Sequence, residues 1–260
     1  MRKNLFDIIE NSQVDLYKEY TRVKKLFSDK YIYVVRTQYT IEEYIDKYLF
    51  TNWKHRKTCL SLTDFYNSFD IPKDIYSDDK KEILLYFEFV FNMAVLAWTI
   101  KEFQQTAEII FSNIKQTLDS VNCKISSIEE DKYVIREKSE IVTNAASKYP
   151  DAASKIIEYK SISLQGNLER KKELLNAIAA KFEAVRGRLK QNGYKDIQDD
   201  VGFLLNSLNI RHNNEDAIKK LSAAEIETWY DKTYDLMLLA LLSVEHIDAK
   251  NKIAKLKTLL

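Results

Sequence analysis

Apolar residues recur at steps of three and four along most of the chain, the spacing of one face of an α-helix. Residues 4–27 form the first helix predicted on this basis. Thr40-Ile-Glu-Glu43 fits a capping box, in which the hydroxyl and the carboxylate each bind a backbone N–H group at a helix start. A second helix is therefore expected there. A shorter one near Leu60–Phe69 should end before Pro72, because the residue before proline avoids helical angles.

The longest predicted helix runs from Lys80 to Val121, a stretch that contains neither glycine nor proline. Its second half, from Ile100 onward, carries a single apolar stripe, which is typical of an amphipathic helix. The sequence therefore predicts a mainly α fold, a helical bundle built around one long central helix.

The first half of this element, Ile83–Ile100, is mostly apolar and has two interpretations, a membrane span or the buried centre of a bundle. Glu88 and Asn92 are costly in lipid, so we predict a core helix and no membrane association. Glu88 should then lie at the edge of the bundle or pair with a Lys or Arg. The side chains expected to be buried are Phe87, Phe91, Val95 and Trp98.

Residues 124–137 interrupt the helical pattern with two β-prone runs around the polar turn Glu129-Glu-Asp-Lys132. This pattern predicts one small β-hairpin. We expect the chain to divide here, into an N-terminal helical module over 1–122 and a hairpin with a helical bundle over 123–260. A single continuous domain is the alternative.

Further helices are predicted beyond the hairpin. Pro150 stands where a helix can begin, and Asn192-Gly193 stands where one should end. Ser222-Ala-Ala-Glu225 is a second capping box, which opens the last long helix. The remaining predicted helices are Ala152–Leu164, Leu168–Leu189 and Asp196–Ile210.

The composition agrees with this helical pattern and limits the classes of partner. Only 4 of the 260 residues are glycine and 2 are proline, too few for the turns of a β-rich fold. The formal net charge is +1, so no overall field draws the chain to nucleic acid, and any such binding needs a local patch.

The cysteines and the first residues bear on the compartment. Cys59 and Cys123 match no metal-binding spacing and no disulfide framework, which favours a reducing interior. No apolar secretory core follows the basic start of the chain, so we expect a cytoplasmic location.

Several common catalytic motifs are absent from the sequence. It has no phosphate-loop or dinucleotide glycine pattern, no His-Glu-x-x-His and no paired cysteine motif. Nucleotide-driven motors, Rossmann oxidoreductases and zinc hydrolases are therefore disfavoured, and no cofactor or metal is expected.

The segment 206–215 holds the densest candidate chemistry, with four asparagines, a carboxylate and the adjacent pair Arg211 and His212. An imidazole moves protons near neutral pH, and a guanidinium holds phosphate. Asn206, Asn209 and Asn213 would share one helix face if the helix continued through them. The alternative is a helix cap, since asparagine tolerates left-handed backbone and cations complement a helix C-terminus.

Two further basic runs are candidates for phosphate contact. In Trp53-Lys-His-Arg-Lys57 the basic residues could contact phosphates while a nucleic-acid base stacks on the Trp53 ring. A short charged helix end is the simpler interpretation. Arg186, Arg188 and Lys190 would extend a basic surface beside Arg211, diluted by neighbouring carboxylates such as Glu183.

The C-terminal part of the chain, about residues 124–250, resembles the helical HEPN-superfamily domains of bacterial abortive-infection proteins and toxins. The resemblance is carried by the order of hairpin and helix pair, by 204–214 (LLNSLNIRHNN), and by 227–231 (ETWYD) on the closing helix. It implies a cytoplasmic phage-defence protein that forms a homodimer and binds RNA. It also implies metal-independent endoribonuclease chemistry in the cleft between the two subunits.

On this resemblance, Arg211 and His212 are the catalytic candidates, and Asn206, Asn209, Asn213 and Asn214 would contact the substrate. The family's histidine follows its arginine after four to six residues, whereas His212 follows Arg211 directly. A non-catalytic interaction or regulatory protein of a defence system is therefore the alternative, with the N-terminal module contacting a protein partner.

Overall fold

The computed structural model describes residues 14–211 and 218–260, and this part of the chain is mainly α-helical, as predicted. Its contacts divide the chain into two compact units, the first ending at Lys138 and the second running from Ser139 to Leu260. Within the described part, no helix has both the length and the apolar character that crossing a membrane requires.

Unit 1 combines helices with two antiparallel β-hairpins. Its elements are α1 (Leu16–Lys24), β1 (Ile32–Val34), β2 (Thr37–Tyr39), α2 (Ile41–Tyr44), α3 (Leu62–Ser68), α4 (Lys80–Trp98), α5 (Gln104–Ser120), β3 (Cys123–Glu129) and β4 (Lys132–Glu137). The helix predicted over 4–27 is present from Leu16, after the cap residue Asp15. The first part of that prediction lies outside the described residues.

The start of α2 is the predicted capping box. The Thr40 hydroxyl accepts the Glu43 N–H at 3.1 Å, and the Glu43 carboxylate accepts the Thr40 N–H at 2.9 Å. The hairpin β1–β2 just before it was not predicted. Val35 in its turn has a φ of 59°. Glycine or asparagine usually occupies this left-handed conformation and a β-branched residue rarely does, so the sequence carries no turn signal there.

The continuous helix predicted from Lys80 to Val121 is wrong, because the chain breaks after Trp98. Ile100 is extended, with φ −101° and ψ 120°, and the Thr99 hydroxyl donates to the Leu96 carbonyl at 2.7 Å. The Thr99 hydroxyl thus competes with backbone N–H groups for a carbonyl at the helix end, and this can end a helix without glycine or proline. Helix α5 then packs against α4, so the expected long central helix is a helix pair.

The core interpretation of α4 agrees with the observed burial at most positions. Phe87 and Phe91 are buried and Val95 is half-buried. The prediction for Trp98 is wrong, since its side chain is 47% exposed. It lies in the last turn of α4, beside the break, where the chain has already begun to leave the core.

The predicted hairpin is present as β3 and β4, but it belongs to unit 1 rather than to the C-terminal unit. The reason lies on α4. The Asn92 amide accepts the Tyr133 N–H and donates to the Tyr133 carbonyl, both at 2.9 Å. The Glu88 carboxylate accepts the Ile135 N–H at 2.6 Å. The two polar residues of this apolar helix thus satisfy the free edge of β4, and the boundary expected at 122/123 falls after Lys138.

Unit 2 is a helical bundle. Its elements are α6 (Glu140–Lys148), α7 (Ala153–Tyr159), α8 (Leu168–Gln191), α9 (Lys195–Ser207) and α10 (Ala223–Lys257). The helix predicted over 152–164 is shorter than expected, because Lys160 and Ser161 leave it before a 3₁₀ turn at Ile162–Leu164. The predicted end of α8 is confirmed, with Gly193 at a φ of 90°.

The core of unit 2 lies where α8, α9 and α10 face one another. Leu175, Leu205 and Leu241 are fully buried there. The second predicted capping box opens α10, where the Glu225 carboxylate accepts the Ser222 N–H at 2.8 Å. The Tyr230 hydroxyl of α10 donates to the Leu208 carbonyl at 3.4 Å, at the end of α9, which carries the candidate site.

Candidate functional site

The candidate site begins at the end of α9. Asn209 follows the helix with a φ of 57°, in the left-handed region that asparagine tolerates better than most residues. The Arg211 N–H then turns back to the Leu205 carbonyl at 3.2 Å. Asn209 is 5% exposed, so its role is to end the helix, and its side chain is not presented to a ligand.

The Arg211 side chain lies against α8, where its guanidinium forms an ion pair with Glu183. Arg186, one turn further along α8, places a guanidinium nitrogen 3.5 Å from the other oxygen of the same carboxylate. We call Glu183, Arg186 and Arg211 the Glu183 cluster. Two cations converge on one anion, so the cluster carries a local excess of one positive charge.

A glycine on α9 gives Arg186 its position. A Cβ atom added at Gly202 would come within 3.3 Å of the Arg186 guanidinium, a close contact that would force the guanidinium to shift. The flat guanidinium therefore lies over the backbone of α9, and both arginines reach the same corner between α8 and α9.

Two exposed side chains of α9, Phe203 and Asn206, follow Gly202 in the sequence. Phe203 is 67% exposed, and Asn206, four residues after Gly202, is exposed on the same face as that glycine. His212, Asn213 and Asn214 lie outside the described residues. Of the predicted site residues that the structure describes, Asn206 is exposed, Arg211 is partly buried in its ion pair with Glu183, and Asn209 ends the helix.

Two other cations of α8 and α9 are paired one to one. A guanidinium nitrogen of Arg188 lies 2.6 Å from the Asp248 carboxylate, and the Lys195 ammonium lies 3.6 Å from Asp199. The broad basic surface considered for this region is therefore reduced to the Glu183 cluster and Lys190, which is exposed.

A second polar cluster lies inside unit 2 and was missed from the sequence. The Lys171 ammonium is 2.8 Å from both the Glu227 and the Asp231 carboxylates, which stand one turn apart on α10. The Tyr159 hydroxyl donates to Asp231 at 3.0 Å, and the Gly166 N–H donates to Glu227 at 2.8 Å. The i,i+4 spacing of the two carboxylates was the only signal available in the sequence.

This Lys171 cluster joins α7, α8 and α10, and its cation and its tyrosine are buried. Lys171 is 4% exposed and Tyr159 is 1% exposed, and the Tyr159 ring stacks on that of Tyr234 at 4.2 Å. Burial and the neighbouring Asp231 charge raise the pKa of the Tyr159 hydroxyl far above its usual range, so it remains a donor. The segment 227–231 therefore positions α10 against α8.

The basic run that begins at Trp53 is engaged within unit 1. Trp53 is 7% exposed and packs against Phe50 and Phe65, so its ring is not available to stack on a base. The Lys54 ammonium lies 3.1 Å from the Glu130 carboxylate, and a His55 ring nitrogen lies 3.1 Å from the Glu130 carbonyl oxygen. The run thus secures the hairpin turn, and the stacking interpretation is wrong.

Among the described residues, no group of His, Cys, Asp and Glu side chains is arranged to hold a metal ion. Comparisons of the chain with protein-family models, curated proteins and solved structures find no match. A functional argument must therefore start from the geometry of the Glu183 cluster.

Proposed function

We propose that the chain is a HEPN-like defence protein or toxin that binds RNA at the Glu183 cluster. The observation that carries the proposal is the convergence of Arg186 and Arg211 on one carboxylate. An excess cation held in place by a weaker partner is a suitable receptor for a phosphate, which offers more charge and more acceptor oxygens than a carboxylate.

Two exposed groups of α9 suit single-stranded RNA. Phe203 offers an aromatic face on which a base can stack, and stacking of this kind tolerates any sequence. Asn206 offers both a donor and an acceptor. Because the net charge of the chain is near zero, RNA binding depends on a local patch, and each phosphate contact made there lowers the affinity as salt rises.

We extend the proposal to metal-independent cleavage. The 2′-hydroxyl oxygen of the bound strand would attack the adjacent phosphorus, and His212 would accept the hydroxyl proton. Arg211 would stabilise the charge that develops on the phosphate oxygens. The bond from phosphorus to the 5′-oxygen then breaks, and the departing 5′-oxygen takes the proton back from His212, which leaves a 2′,3′-cyclic phosphate and a 5′-hydroxyl.

The test is incubation of the purified chain with total RNA in excess chelator, with product ends analysed. Arg211→Ala and His212→Ala should each lower cleavage at least about a hundredfold, the usual effect of losing a charge-stabilising or acid–base group. Arg188→Ala is the matched control, since it removes the same charge from α8 outside the cluster. Equal cleavage by all variants would reject the catalytic assignment.

One observation favours a second candidate, a non-catalytic interaction or regulatory protein. The Arg211 side chain is only 19% exposed and already has an ionic partner. Glu183→Gln separates the two candidates, because it removes the competing carboxylate and leaves the arginines in place. RNA affinity should rise if phosphate binds here, and it should stay unmeasurable if the arginine serves only the fold.

A further inference from the structure

Unit 1 carries a surface cluster of three tyrosines, Tyr39 at the end of β2 and Tyr44 and Tyr48 just after it. The ring centroids are 5.5 Å apart for Tyr39 and Tyr44, 5.7 Å for Tyr39 and Tyr48, and 4.8 Å for Tyr44 and Tyr48. We call these three residues the tyrosine cluster. Tyr48 is 43% exposed and Tyr39 is half-buried, so the cluster is open to solvent.

A π-helical turn arranges two of these rings. Helix α2 continues into a π-helix over Ile45–Leu49, in which each backbone hydrogen bond spans five residues. This wider turn brings Tyr44 and Tyr48, four residues apart, nearly above each other. Tyr44 also packs on the fully buried Phe103, with ring centroids 5.1 Å apart. Tyr44 thus anchors the two outer rings to the core of unit 1.

The two outer rings form a right-angled corner. The planes of Tyr39 and Tyr48 lie at 84° to each other, and their hydroxyl oxygens are 2.9 Å apart. Chiefly through this hydrogen bond, the pKa of the Tyr39 hydroxyl is raised and the pKa of the Tyr48 hydroxyl is lowered. Tyr39 is therefore the donor, and the bond fixes the angle between the rings before any ligand arrives.

A cation of the chain already lies in this corner. The Lys47 ammonium is 5.6 Å from the centroid of the Tyr39 ring and 5.2 Å from that of Tyr48. Tyr48 and then Tyr39 raise the pKa of this ammonium, and no carboxylate in the described ranges pairs with it. The corner thus holds a positive charge by ring faces and hydroxyl groups alone.

We propose that the tyrosine cluster is a receptor for a quaternary ammonium group, and that Lys47 occupies this receptor in the free chain. Ring faces attract cations through their quadrupole, and tyrosine corners suit the trimethylammonium of choline or of trimethyl-lysine. A primary ammonium is strongly hydrated and has three N–H donors to satisfy. A quaternary ammonium has no N–H donor, so it loses less on leaving water, and the corner should prefer it to the lysine.

The first test is titration of the full chain with tetramethylammonium, followed by NMR at the Lys47 side chain. Ring currents should shift the ε-methylene signal of Lys47 upfield in the free chain. Bound tetramethylammonium should return that signal toward its ordinary position, because the lysine leaves the corner. A Lys47 signal that stays unchanged at every concentration would overturn the proposal.

The second test removes the internal competitor. Lys47→Met should bind tetramethylammonium about tenfold more tightly than the wild type, the effect expected when a cation held by two exposed rings is lost. Lys115→Met is the matched control, since it removes the same charge from an exposed position of α5. Equal affinities of the two variants would contradict displacement of Lys47.

The third test removes one face of the corner. In the Lys47→Met background, Tyr48→Leu should weaken tetramethylammonium binding about threefold, the share of one exposed ring. Tyr33→Leu is the control. Tyr33 is 65% exposed and pairs with Gln38, so it lies on the opposite face of the hairpin from Tyr39. Equal binding by both variants would show that the corner is not the receptor.

Competition identifies the source of the ammonium group. Choline and trimethyl-lysine should each displace tetramethylammonium from Lys47→Met more strongly than unmethylated lysine does, and the tighter of the two names the source. Equal competition by all three compounds would show a general attraction for cations and would overturn the preference for a quaternary group.

Discussion

Asn92 should stabilise unit 1 by closing the edge of β4, and Asn92→Ala removes that closure. The variant lacks the two hydrogen bonds to Tyr133, each 2.9 Å long. At about 1 kcal/mol net for each, their removal costs about 2 kcal/mol. Alanine returns roughly 0.5 kcal/mol through its higher helix propensity, so we expect a net destabilisation of about 1.5 kcal/mol.

Amide hydrogen exchange tests this prediction locally. The Tyr133 N–H should exchange at least about tenfold faster in the variant, following the conversion of 1.4 kcal/mol to a factor of ten. Asn67→Ala is the control, since Asn67 is exposed on α3 and should show only the small gain from helix propensity. Unchanged protection of Tyr133 in Asn92→Ala would refute the closure argument.

Three further predictions concern unit 2. Lys171→Met should destabilise it by about 2 kcal/mol by removing the cation that two carboxylates share, and denaturant unfolding should show no such destabilisation for the exposed control Lys190→Met. Hydrogen bonds from Ser222 lower the pKa of the Glu225 carboxyl, so that stabilisation is present above the ordinary pKa near 4.5 and is lost as pH falls through the lowered value. Glu225→Gln should therefore flatten the acid dependence of thermal unfolding, and an acid dependence equal to that of the wild type would contradict the assignment. Asn209→Val should lower the free energy of unfolding by about 1–2 kcal/mol and Asn209→Gly should not, because only the valine is strained at a φ of 57°. Equal destabilisation by both variants would contradict this role of the backbone conformation.

Local patterns predicted those helix ends that carry a cap signal. The two capping boxes formed as expected, because both partners of each box lie within four residues of each other. The end of α8 was equally visible, since Gly193 supplies the left-handed conformation there. Such features depend on short-range sterics and hydrogen bonds, which a sequence displays directly.

Features that depend on distant contacts were predicted poorly. Asn92 and Tyr133 are 41 residues apart, so no local pattern indicated that a polar residue of α4 would draw the hairpin into unit 1. The break at Thr99 and Ile100 was missed because no glycine or proline marks it, and the chain there bends so that α5 can pack on α4.

The candidate site shows the same division. Arg211 stood out from its neighbours in sequence, and the capping alternative for Asn209 was visible from its residue type. The partner that defines the cluster, Glu183, lies 28 residues earlier and was recognised only as a carboxylate that dilutes a basic surface. Whether a cation is free or paired is a property of the tertiary structure.

The measurement that tests the central claim most directly is the binding of single-stranded RNA at several salt concentrations, in chelator, by four proteins. These are the wild type, Glu183→Gln, Arg211→Ala and Arg188→Ala. We predict that Glu183→Gln binds more tightly than the wild type. Arg211→Ala should bind more weakly, with a salt slope smaller by about 0.7 for each phosphate that is no longer neutralised, and Arg188→Ala should retain the wild-type slope. Equal affinities and slopes for all four proteins would contradict RNA binding at the Glu183 cluster.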